Sequence, residues 1–105
     1  MKRDVFAISR QGDDIVILMA QTSRHVEELV AFMMFMEANG YNKNTTLDYN
    51  PTYGSFQIVV HGFDQTVLQR LYEVTRQMGK VVTYYRRHPM FAQRCDHIKS
   101  TLKLD

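Results

Sequence analysis

Tyr84-Tyr85-Arg86-Arg87-His88 interleaves aromatic rings with cations, and Lys80, Arg94, Lys99 and Lys103 flank or follow it. Aromatic faces stack on unpaired bases, and guanidinium groups hold phosphates or carboxylates through paired N–H bonds. These nine residues are therefore the candidate binding set. The charge distribution supports the choice. Residues 1 to 75 hold six Lys/Arg against nine Asp/Glu, whereas residues 76 to 105 hold seven against two, so a net charge of only +2 conceals a basic C-terminal third suited to an acidic partner. The bland alternative is a solvated edge strand and helix with a modest basic excess. If Val81 to Arg86 is a strand, Tyr84 and Tyr85 point to opposite faces and only one can stack on a base.

A second group is apolar. Phe32, Met34, Phe35 and Met36 spread hydrophobicity around most of the first helix, which fits either a helix buried on two sides or a protein interface, since Met and Phe adapt to irregular partners. The methionines of Met33-Met34-Phe35-Met36 point in different directions on a helix, which favours packing over copper(I) binding. No metal or other cofactor is expected. His25, His61, His88 and His97 are scattered without zinc spacing. Cys95 and His97 are two residues apart on a helix and do not face each other. Glycine-rich phosphate loops are absent.

The elements that must position these residues follow from periodicity. A hairpin turns at Gln11-Gly12-Asp13, and Ile15 to Ala20 is a β-branched apolar run that reads as a central strand buried on both faces. Thr22 or Ser23 caps a helix running to about Ala38 and closed by Asn39-Gly40. Strands follow near Thr46 to Tyr49 and at Ser55 to His61, around the turn Asn50 to Gly54. Asp64 caps a second helix, with Phe63 and Leu68 as a hydrophobic staple and an apolar stripe Val67, Leu71, Val74, Met78, stopping at Gly79. Val81 to Arg86 reads as a further strand. His88-Pro89 opens a last helix with the stripe Phe91, Cys95, Ile98, Leu102.

A shift of 42 residues superimposes two strand-turn-strand-cap-helix units: Gly12 on Gly54, Val16 on Ile58, Ile17 on Val59, Thr22 on Asp64, Leu29 on Leu71 and Met36 on Met78. From Ile15 the order β-α-β-β-α-β resembles the ferredoxin-like split βαβ arrangement. The expectation is thus one α+β domain over residues 1–105: an antiparallel sheet with helices on one face, plus an extra N-terminal strand and a C-terminal helix. The other face, with Val16, Leu18, Val59 and Val82, needs a cover, from the last helix or a second copy of the chain.

At 105 residues, with 45% hydrophobic and 23% charged residues, the chain has the composition of one folded domain. One cysteine and no apolar run of membrane-spanning length indicate a cytoplasmic protein without membrane association. The expected function is a small non-catalytic regulator or inhibitor that docks through its basic third on nucleic acid or an acidic protein surface, as a monomer or a homodimer. A second reading comes from a topological resemblance, over residues 15 to 86, to ACT-type regulatory domains. It implies a small-molecule-sensing homodimer, although Ala20-Gln21-Thr22-Ser23 lacks the glycine of the family's binding loop. A third reading is a metal-dependent nuclease using Asp14.

Overall fold

The structure, a computed structural model, describes residues 5–104; Asp4, where the first strand is expected to begin, lies outside them. Strands β1 (Phe6–Gln11) and β2 (Asp14–Met19) form a hairpin, and a 3-10 turn (Thr22–Arg24) leads into helix α1 (Val26–Ala38). A second hairpin, β3 (Thr45–Asn50) and β4 (Ser55–His61), is followed by α2 (Gln65–Arg76), α3 (Met78–Arg86) and α4 (Phe91–Thr101). The result is an α+β fold with one antiparallel sheet of order β1-β2-β4-β3.

The repeat seen in the sequence is built into the centre of the sheet. Val16 pairs with Val59 and Ile17 with Ile58, so each residue faces its neighbour's counterpart 42 positions on, and a local two-fold passes between the two pairs. Gly12 and Gly54 both adopt left-handed backbone, at φ 62° and 63°, where a side chain would be strained.

The expected last strand does not form. Val81 to Arg86 is helical, part of α3, so the ferredoxin-like βαββαβ order is broken and β1 occupies the place beside β2 that a last strand would fill. The resemblance to ACT domains rested on the same strand and falls with it. β-branched and aromatic residues favour strands locally, but Met78, Val82 and Tyr85 recur at helical spacing, and tertiary burial outweighs propensity. Met78 and Val82 are buried in the core. Gly79 does not stop α2; it lies inside α3.

The capping expectations divide. Asp64 Oδ1 accepts the N–H groups of Thr66 and Val67 at 2.8 and 3.2 Å, as an N-cap should. At α1 the cap position falls to His25, whose side chain makes no capping bond to the backbone; its Nδ1 lies 2.7 Å from Glu28 Oε2 instead. Neither Thr22 nor Ser23 is the cap. The other end of α1 closes as expected: Tyr41 N–H donates to Met36 O and Gly40 N–H to Glu37 O, a Schellman arrangement with Phe35 edge-on to Tyr41.

α1 is the hub of the core. Phe32 stacks on Phe6 of the sheet with centroids 4.6 Å apart, while α3 and α4 pack on α1. Burial all round explains why its sequence is apolar all round. All four helices contribute to one core with Ile15, Ile17, Met19, Phe56, Ile58 and Val60. The opposite sheet face is open in part: Leu18 there is 42% exposed while Val16 is 7% exposed, so β2 is central and buried only unevenly on that face. The last helix does not cover that face, since Phe91 and Cys95 join the common core.

Candidate functional site

As a helix, α3 redistributes the predicted binding residues. Positions i, i+4 and i+7 share a helical face, which aligns Lys80, Tyr84 and Arg87 on the side away from Met78 and Val82. All three are exposed, and Tyr84 is 67% exposed. Tyr85 turns inward, half-buried, and its ring meets that of Tyr84 edge-on at 5.0 Å between centroids. Burial, with a smaller contribution from Tyr84, pushes the Tyr85 phenol above its ordinary value.

Arg86 and Arg94 are not free for a partner. Arg86 donates from Nε and Nη2 to the two carboxylate oxygens of Glu27, at 3.1 and 2.8 Å. Arg94 donates to both oxygens of Glu37, one bond measuring 2.6 Å. The hydrogen bonds from these guanidinium groups hold both glutamates below the usual carboxylate range. Glu27 lies in the first turn of α1, where the helix dipole favours acid. Glu37 lies in the last turn, where the dipole opposes it and Arg94 compensates. Lys99 adds its field at Glu27, so this part of the basic third is drawn onto the acids of α1. Lys99 and Lys103 are exposed on α4 and just beyond it.

Between the C-terminal end of α1 and the α3–α4 corner runs a groove. One concavity of about 460 Å³ is lined by Met34, Glu37, Tyr85, Met90 and Arg94. A neighbouring one of about 410 Å³ includes Tyr84 and Arg87. Ala38, Tyr85 and His88 border both, making them continuous. Met90 is 43% exposed. His88 Nδ1 accepts the Met90 N–H at 3.1 Å, which assigns the remaining proton to Nε2 and fixes the ring at the rim as a donor.

Sequence reasoning missed Ala38 and Met90, because a groove at a helix corner depends on which helices meet and leaves no spacing of its own. The proposed apolar interface is corrected: Phe32, Met34, Phe35 and Met36 are all buried, and only Met34 reaches the groove. Cys95 is buried, and burial foremost raises its thiol above the ordinary range, which makes it a poor nucleophile.

The open sheet face carries one polar constellation. His61 Nε2 lies 2.7 Å from Thr46 Oγ1, and His61 Nδ1 lies 3.6 Å from Asp14 Oδ1, which also accepts the Gly62 N–H. The types are those of a hydroxyl-imidazole-carboxylate relay. However, the three sit on adjacent strands of an exposed face and line neither concavity of the groove, and cross-strand polar pairing accounts for them. Among the described residues no three His, Cys, Asp or Glu side chains gather as a metal site, and no helix is long and apolar enough to cross a membrane. Comparison with family models, curated proteins and solved structures gives no match.

Proposed function

We propose that this chain is a non-catalytic regulator that docks on an acidic protein surface through the exposed face of α3 and the groove beside it. The observation that carries the reading is the stripe Lys80, Tyr84, Arg87, set beside a groove of mixed lining, with Met34, Tyr85 and Met90 as its apolar part and His88 at its rim. An exposed aromatic flanked by cations, next to a half-apolar groove, has the composition of a protein contact centre. Nucleic acid is disfavoured. With Arg86 and Arg94 already held by carboxylates, Lys80 and Arg87 are too few for the many phosphate contacts that nucleic-acid affinity needs, whereas a protein partner also gains from the apolar part of the groove.

The test is affinity capture from the native cell with the intact chain and with Tyr84→Ala, each with and without nuclease. The reading expects a protein partner whose capture survives nuclease and falls about tenfold with Tyr84→Ala. Capture abolished by nuclease would make the partner a nucleic acid and overturn it.

A further inference from the structure

The two edges of the sheet are treated differently. The His61 N–H donates to Asn44 O at 2.8 Å, which makes Asn44 and His61 a hydrogen-bonded pair and, by alternation along the register, Thr46–Val59, Asp48–Gln57 and Asn50–Ser55 as well. The backbone N–H and C=O groups of Thr45, Leu47 and Tyr49 therefore point outward from β3. Among the described residues none of these outward groups has a backbone or side-chain partner. The same alternation carried across β4 and β2 turns the backbone of Phe6, Ile8 and Arg10 outward from β1. That edge is guarded. Tyr72 Oη of α2 donates to Ile8 O at 3.1 Å, and Arg10 lies over the Phe63 ring at 3.7 Å.

Among the described residues β3 has no such guard. Proline, lysine, bulges and covering elements are the usual devices that stop an edge from pairing. Here Lys43 and Pro51 fall just outside the strand, and Asp48 is its only charge. Leu47 is 49% exposed, beside a hollow of about 160 Å³ between β3 and α1 that includes Met33, Met36 and Ile58. An apolar side chain arriving with an added strand has a place to go.

We propose that the outer edge of β3 is a self-association surface, on which two copies pair antiparallel about Leu47. This register places Leu47 on its counterpart, Thr45 opposite Tyr49 and Thr46 opposite Asp48. All outward groups are then used in about six main-chain hydrogen bonds. The strand selects its own copy because it is self-complementary in this register: a β-branched residue meets an aromatic, and no like charges face each other. Centring on Asp48 would oppose two carboxylates, and centring on Thr46 would carry Tyr49 past the start of β3 to Lys43. The contact is small, so weak association is expected. It is separate from the α3 surface and stands or falls independently of it.

Sedimentation equilibrium of the full chain from roughly 5 µM to 1 mM, a span that brackets a weak contact, should show a monomer-dimer equilibrium. Over the same series, residue-resolved amide exchange should slow at Thr45, Leu47 and Tyr49. Leu47→Pro removes an N–H that β4 does not use, so the circular dichroism spectrum should be kept and the dimer lost. A monomer throughout, a dimer in which those three amides exchange as fast as in dilute solution, or a folded Leu47→Pro that still dimerises would each overturn the proposal. If Leu47→Pro fails to fold, amide exchange in the unmodified chain decides alone.

Discussion

Arg86 and Arg87 are neighbours in the chain with opposite fates: one is bound in two places to Glu27, the other stands exposed beside Tyr84. Composition shows two cations, and only the helical phase of α3 separates them. Both belong to the predicted binding set, since a count of cations cannot show which of them an acid elsewhere in the chain already holds. His88 was legible as a binding candidate, but its donor role at the groove rim needed the turn that brings it to the Met90 N–H. Thr22 gives a test at this scale. It is fully buried, its N–H donates to Gly54 O at 2.9 Å, and its Oγ1 has no hydrogen-bond partner among the described residues. Thr22→Val keeps the shape and removes the uncompensated hydroxyl, so stability should rise by about 1 kcal/mol in chemical denaturation. A loss of that size would show that the hydroxyl is satisfied.

The elements were legible where a single period spoke. Both hairpins, the Asp64 cap, the glycine closure of α1 and the stripe of α4 follow from local pattern alone. Val81 to Arg86 failed because its residue types argue for a strand while their spacing argues for a helix. What ties α3 and α4 to α1, besides the apolar core, is the two glutamate-arginine pairs, and these give a pH dependence. Glu27 and Glu37 titrate below the ordinary carboxylate value in the folded chain. Their contribution is therefore complete above about pH 4.5 and is lost as pH falls through the lowered folded values. Thermal melting from pH 7 to pH 3 should show this decline, and Glu37→Gln should melt lower at pH 7 and decline less steeply in acid. Both ends of the Glu37 pair are partly exposed, so its loss costs no more than about 1 kcal/mol. Parallel pH curves for the two proteins would contradict the assignment.

On the scale of the whole molecule, the internal repeat organises the sheet, and the asymmetry added to it organises the surfaces. The second unit is followed by two more helices, which bury the far side of α1 and create the groove; the first unit has no counterpart to them. The basic third was visible as composition, but its division into structural and exposed cations depended on acids some 57 to 59 residues away in the chain. The most direct test of the docking account compares Arg87→Gln with Arg86→Glu in partner capture and in melting temperature. The account predicts that Arg87→Gln, which removes the charge without setting an acid at the C-terminal end of α3, sharply reduces capture with melting little changed, whereas Arg86→Glu, facing Glu27, lowers the melting temperature. Capture undiminished by Arg87→Gln in a chain that melts as the original does would contradict it.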